Sequence, residues 1–157
     1  MKLLIAAIGK AKAGPEHQLY LDYTKRLPWK ITCREFDTKA QDAATRKTRE
    51  GELLLDACKG YEKIIALDEG GKTLSSREFS KELGNWQQQG ISSFAFVIGG
   101  ADGLSDELLK AAHLRWSLGR VTWPHMLVRG MLAEQLYRAE CILANHPYHR
   151  GRARPDH

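Results

Sequence analysis

Apolar runs alternate with amphipathic segments from the start of the chain almost to its end. Leu3 to Ile8 is an unbroken apolar run and predicts a buried strand. Pro15 suits the first turn of a helix reaching about Arg26, with Leu19, Tyr23 and Leu27 on one face, and Pro28 stops it. Ile31 to Phe36 predicts a second strand. The segment from about Ala43 to Lys59 has helical propensity, with Leu53, Leu54 and Ala57 inward and Gly60 placed to end it. Ile64 to Leu67 predicts a third strand. Ser75-Ser76-Arg77-Glu78 is a capping box that opens a helix to about Gln88. Phe94 to Ile98 is the clearest strand and runs into Gly99-Gly100. Ser105 caps a helix through Ala112, and Leu114 to Leu118 predicts a short fifth strand. A long helix follows from about His125 to Ala144, with Val128, Met131, Leu132, Gln135, Leu136, Ala139 and Ile142 at helical spacing.

This alternation predicts an α/β fold, a mainly parallel sheet flanked by helices, as one domain over residues 1–157. No linker, repeat or low-complexity tract interrupts it. In such sheets ligands bind beyond the carboxyl ends of the strands. Three loops are thereby singled out: Asp68–Leu74, Gly99–Leu104 and Gly119–Pro124.

Composition changes this picture little: 43% apolar and 27% charged residues describe an ordinary globular protein. The opening Met1–Ile8 run is too short to span a membrane and meets Gly9-Lys10, and no cleavage pattern follows, so the expected location is the cytoplasm. Cys33, Cys58 and Cys141 are too scattered for a zinc site or a disulfide framework and read as small apolar residues. Charge adds more. The net +5 suits a polyanionic partner. The segment 145–157 forms a basic tail in which Arg150, Arg152 and Arg154 accompany His146 and His149.

The glycine turn Gly99-Gly100-Ala101-Asp102-Gly103 is neither a dinucleotide fingerprint nor a phosphate-binding Walker loop. Three glycines in five residues exceed what a turn needs and favour close approach by a ligand. The stretch Leu118-Gly119-Arg120-Val121-Thr122-Trp123 would offer free backbone groups to a planar base, while Trp123 by itself reads as a core residue. His125 and Arg129 share a face at a helix start, where the dipole disfavours a second positive charge and suits His125 to accept a proton. His146 and His149 lack a third ligand and are split by Pro147, so no metal is expected. An RNA-facing tail of Tyr148, His149 and Arg150 fits the residue types better.

The run Phe94-x-x-Val97-Ile98-Gly99-Gly100-x-x-Gly103-Leu104, then Trp116-Ser117-Leu118, Thr122-x-Pro124-His125, Val128-Arg129, Glu134 to Ala139 and Asn145-His146-Pro147-Tyr148-His149, closely resembles the ribosomal RNA large subunit methyltransferase H family of the SPOUT class. Met1-Lys2-Leu3, Ala7-x-Gly9-Lys10 and Leu67-Asp68 with Gly71-Lys72 match it too, so the likeness spans nearly the whole chain. The resemblance implies a SPOUT fold with a C-terminal trefoil knot and a homodimer. It implies methylation of N3 of a pseudouridine in the helix 69 loop of 23S rRNA, on the assembled ribosome, with S-adenosyl-L-methionine as donor. By position it places cofactor contacts on Leu67, Gly99, Gly103 and Leu118, Gly119, Arg120, Val121, Thr122 and Trp123. His125 then stands as proton acceptor and Arg129 as stabiliser of the uracil oxygens or a phosphate. Tyr148, His149 and Arg150 would reach across a dimer. Other SPOUT targets (a ribose 2′-oxygen or another base nitrogen) and a non-catalytic RNA-binding module are the competing readings. The residues after Arg150 extend past where members usually stop.

Overall fold

The computed structural model describes residues 1–150. Five strands and five helices alternate: β1 (Lys2–Ile8), α1 (Pro15–Arg26), β2 (Lys30–Phe36), α2 (Ala43–Ala57), β3 (Lys63–Thr73), α3 (Ser76–Gln88), β4 (Ser93–Ile98), α4 (Asp106–Ala111), β5 (Leu114–Ser117) and α5 (His125–Leu143). The strands form one sheet in the order β2-β1-β4-β3-β5, and every pairing is parallel.

Period-two alternation sorts the strand residues onto two faces. Leu3, Ile5, Ala7, Ile65, Phe94, Phe96 and Ile98 point to one face, where α1, α3 and α5 cover them with Tyr20, Phe79, Leu83, Leu132 and Leu136. Leu4, Ala6, Ile8, Ala66, Ala95 and Val97 point to the other, under Leu54 and Ala57 of α2 and Leu104 and Leu108. A parallel sheet covered on both faces has near-continuous apolar strands, and all six residues of β4 are buried. The order also fixes the crossovers. The connections through α1 and α3 step one way along the sheet on one face, and those through α2 and α4 step the other way on the opposite face. All four therefore share one hand, as expected of parallel β-α-β units.

Local chemistry sets the helix ends. The Ser75 hydroxyl accepts from the Glu78 amide while the Glu78 carboxylate accepts from the Ser75 amide, which completes the expected capping box. Asp42 and Ser105 cap α2 and α4 in the same manner. α2 closes at Ala57 rather than Lys59, with Gly60 beyond it at φ +87°. Leu53 lies on its outer side, 36% exposed, and not inward as its spacing predicted. Of the cysteines, Cys58 and Cys141 are buried as small apolar residues, whereas Cys33 is exposed.

The main departure from expectation is β3. It does not end at Leu67 but continues to Thr73, with a register shift against β5 between Leu67 and Lys72. Gly71 permits this: a Cβ there would lie 2.6 Å from the backbone of Arg115. Only glycine lets the two strands meet at that point. Among the described residues no helix is long and apolar enough to cross a membrane.

Phe79 stacks on Trp116 at 4.1 Å between ring centroids and meets Phe96 edge-on at 6.2 Å, and all three are buried. Phe79→Ala would leave a cavity joining α3 to the sheet. It should lower unfolding free energy by about 3–5 kcal/mol in urea titrations, and an unchanged midpoint would mean that this cluster does not hold the layer.

Candidate functional site

β4, β3 and β5 are neighbours, so the loops that leave their carboxyl ends crowd together. Between them lies a groove of about 380 Å³ whose last wall is the start of α5. Leu67, Gly99, Gly103, Leu118, Gly119, Thr122, Trp123 and His125 all line it. Arg120 and Val121 do not, and Val121 is 65% exposed at the crest of its loop. Asp68 and Glu69 line it as well, but the expected loop Asp68–Leu74 is strand as far as Thr73, and only its first two residues reach the groove.

The glycines have separate reasons. A Cβ on Gly99 would come within 2.9 Å of Leu104 Cδ2 and 3.2 Å of the Gly103 carbonyl group, so the turn closes only around glycine. Gly103 (φ +80°) donates its N–H to the Gly100 carbonyl at 3.1 Å. Gly119 at φ +116° turns the chain out of β5. Its shape is held by buried Ser117, whose hydroxyl donates to the Gly119 carbonyl at 2.9 Å.

Two acids brace the glycine turn from outside. Asp102 at its tip accepts from Arg46 Nε at 2.7 Å, and this bond holds its carboxyl below the ordinary range. Glu50 lies behind Gly100, only 4% exposed, with Oε1 accepting from Thr38 and Oε2 without a partner. Burial pushes its carboxyl up against the weaker opposing pull of that hydroxyl. Neither acid was singled out from the sequence, because nothing in α2 marks which turn faces a loop 50 residues away.

Of the two tryptophans near the groove, the core residue is not the one expected. Trp116 is the core residue, 2% exposed, with an indole N–H that has no partner and an edge on the groove. Trp123, expected in the core, is 38% exposed on the groove wall. Its Nε1 donates to the Leu118 carbonyl at 3.2 Å, which bends the loop back on itself and leaves the ring available for stacking.

His125 is the first residue of α5 and is exposed. It stands between this groove and a second one of about 460 Å³ formed by Gly9 to Ala13, α1 and α5. Arg129, one turn on, is 3% exposed. Its guanidinium pairs with Glu35 at the end of β2 and donates to the carbonyls of Ile8 (3.3 Å) and Gly9 (2.7 Å). Shared helix spacing therefore does not give a shared role: Arg129 ties α5 to the ends of β1 and β2. Burial alone would raise the Glu35 carboxyl, but the Arg129 contacts and the Ala11 amide, which donates to it at 2.6 Å, outweigh this and hold it below its ordinary value. Nothing in the sequence singled out Glu35, which follows Arg34 on a strand of mixed polar and apolar residues.

Tyr148 and His149 lie against α1 and α5, away from the groove of their own chain. The Tyr148 hydroxyl donates to Glu134 (3.1 Å) and accepts from the Tyr23 hydroxyl (3.2 Å), and its ring meets Tyr137 edge-on at 4.7 Å. Burial, then the bond with Tyr23, pushes that phenol well above its ordinary range. His149 Nδ1 lies 3.1 Å from Arg138, which also pairs with Glu134. Arg150 is exposed. Arg152 and Arg154 lie outside the described residues.

A parallel sheet whose adjacent strand ends enclose a glycine-lined groove defines an α/β protein built to hold a small ligand at that edge. Residues 1–149 match the family described as "Predicted SPOUT methyltransferase". The chain belongs to the SPOUT methyltransferase family, whose members generally use S-adenosylmethionine. It is 48% identical over 152 residues to "Ribosomal RNA large subunit methyltransferase H" of Rhodospirillum centenum, covering 96% of this chain and 100% of that protein. It is 50% identical over 151 residues to the protein of the same description from Paramagnetospirillum magneticum, covering 96% and 99%. A probable methylase family protein from Haemophilus influenzae Rd KW20 has the same fold, with a TM-score of 0.60 over 91% of this chain and 66% of that one, at 12% identity.

Replacing Glu35 by Gln should cost about 3 kcal/mol near neutral pH, because it leaves the Arg129 charge buried without its counter-ion. Glu35 has its folded value depressed below the ordinary 4.5. Its contribution is therefore complete above that value and is lost as pH falls through the depressed one. Urea midpoints of wild type and Glu35→Gln should converge in that acidic range, and a gap independent of pH would exclude the ion pair as its source.

Proposed function

We propose that the chain transfers the methyl group of S-adenosyl-L-methionine to N3 of a pseudouridine in the helix 69 loop of 23S rRNA. It does so on the assembled ribosome, as a cytoplasmic homodimer of one-domain subunits. The single observation that carries this reading is the groove shared by the β3, β4 and β5 loops. It coincides with the residues matched to the family and opens onto one exposed histidine. Similarity over 96% of the chain to proteins described as ribosomal RNA large subunit methyltransferase H supports the RNA substrate.

The groove fits the proposed donor. Its volume of about 380 Å³ suits a nucleoside-sized molecule, since small-ligand pockets run from roughly 300 to 1,000 Å³. Gly99 and Gly103 leave backbone exposed where side chains would close the space. Leu67 and Leu118 supply apolar walls, Thr122 a hydroxyl and Trp123 a ring face. Trp116 Nε1, buried on the same wall, is a donor still without an acceptor. When bound, S-adenosylmethionine supplies a methyl carbon activated by a sulfonium.

The chain's own work is alignment and proton removal. In-line displacement needs donor carbon and acceptor nitrogen held close and collinear. N3 of the base carries a proton that must leave as its lone pair forms the new N–C bond. His125, at the mouth of the groove, accepts that proton on a ring nitrogen. Arg129 acts beneath it, fixing the first turn of α5 through Glu35 and the Gly9 carbonyl. Tyr148, His149 and Arg150 face away from their own groove, which supports a role at the groove of a second subunit. The C-terminal trefoil knot belongs to this reading as well, with β5, its loop and α5 as the threaded segment.

Tritium transfer from labelled S-adenosylmethionine to ribosomes lacking the modification, followed by mass-spectrometric mapping, tests the reaction. Label at N3 in helix 69 is expected, and label at a ribose oxygen or another base overturns the assignment. His125→Ala should lower kcat by about 10²- to 10⁴-fold with cofactor affinity nearly unchanged in calorimetry. A normal kcat removes His125 from the chemistry.

A further inference from the structure

A second groove lies on the other side of His125 from the first. It measures about 460 Å³ and lies beyond the carboxyl end of β1, between the 9–14 loop, α1 and the start of α5. Lys10 and Lys12 stand exposed on its rim, His17 and His125 face it, and Glu16 is the one acid lining it. At its floor lies Arg129, 97% of whose surface is covered and whose Nε has no partner.

The loop carrying the lysines is held in shape. Gly9 turns out of β1 at φ +90° and its N–H donates to Phe36 at 2.7 Å. The Ala11 amide donates to Glu35 at 2.6 Å, and Glu35 is fixed in turn by Arg129. A Cβ on Gly9 would lie 3.5 Å from His125 Nε2, so the loop passes directly beside the imidazole. The lysines are thus presented next to the proposed proton acceptor by a backbone pinned to the sheet. A chain of side chains held this way loses less freedom when it engages a ligand.

We propose that this groove binds the RNA strand that carries the acceptor base, with Lys10 and Lys12 contacting phosphates flanking the target nucleotide. The assignment rests on the methyltransferase reading above. Its chemistry follows from geometry: a base delivered to His125 from the side opposite the donor brings its neighbouring phosphates across the 9–14 loop. Single-stranded RNA is bound by such basic grooves mainly through its backbone. The unpartnered Arg129 Nε offers one more donor at the floor. The groove's position explains why His125 stands between two cavities: one presents the methyl donor and the other the acceptor.

The test uses the full chain, unmodified ribosomes and labelled S-adenosylmethionine. Lys10→Ala/Lys12→Ala should raise KM for ribosomes on the order of tenfold at moderate salt, and the dependence of log KM on log salt should flatten by roughly 0.7 per lost phosphate contact. Calorimetric affinity for S-adenosylmethionine should stay within twofold. Lys110→Ala, an exposed lysine at the end of α4 on the opposite face of the sheet, controls for loss of a positive charge outside the groove and should leave KM unchanged. If wild type transfers label but the double variant keeps its KM and salt slope, the groove assignment is overturned. An equal KM increase in Lys110→Ala also overturns it, since charge alone would then explain the effect. If wild type transfers no label, the methyltransferase reading fails instead.

Discussion

A strand that runs parallel to its neighbour cannot be joined to it by a hairpin; the chain must cross back over a face of the sheet. Every strand here obeys that constraint, and most of the architecture follows from it. Helices must cover both faces, so the inner strands are apolar on both sides. One hand for all four crossovers puts α1 and α3 on one face and α2 and α4 on the other. α5 then completes the first face, packed between α1 and α3. All five carboxyl ends finish along one edge, where backbone groups released from the sheet become free for a ligand.

That edge is not uniform. At β4, β3 and β5 it is lined by glycines, three leucines and two tryptophans, with Asp68, Glu69 and Asp102 among them, and it forms a concave groove of mixed polarity. At β1 and β2 it carries Glu35, Lys10 and Lys12, and the chain there is tied by ion pairing to α5. The first residue of α5 sits at the boundary between these regions. His125 is thereby exposed to both cavities while Arg129, one turn below, is locked into the sheet. The buried guanidinium, held by Glu35 and the Gly9 carbonyl, fixes the turn that carries His125.

The fold was largely legible. Strand runs of four to six residues, caps at Ser75 and Ser105, and breakers at Pro28 and Gly60 place nearly every element within a residue or two. These signals are local: they depend on residues that touch through the backbone itself. The same locality explains the misreading at β3. Its apolar run does stop at Leu67, but Gly70-Gly71 let the strand continue by close approach to Arg115 and Trp116, a contact with a segment more than 40 residues on. The misreading of Trp123 as a core residue has the same cause. Either indole could have been the core residue until the stacking position over Phe79 was known.

The sequence by itself determined the alternation of strands and helices, the parallel sheet, two of the three candidate loops and the residues that match a methyltransferase family. Periodicity, capping and glycine placement are properties of neighbours along the chain. The tertiary structure alone decided which strand ends lie side by side. It thereby set which residues of each loop face the groove, and that His125 looks into two cavities while Arg129 is bound to Glu35. The physical reason is that an ion pair or a groove wall joins residues brought together by crossovers, and a crossover leaves no mark on the spacing of the residues it brings into contact.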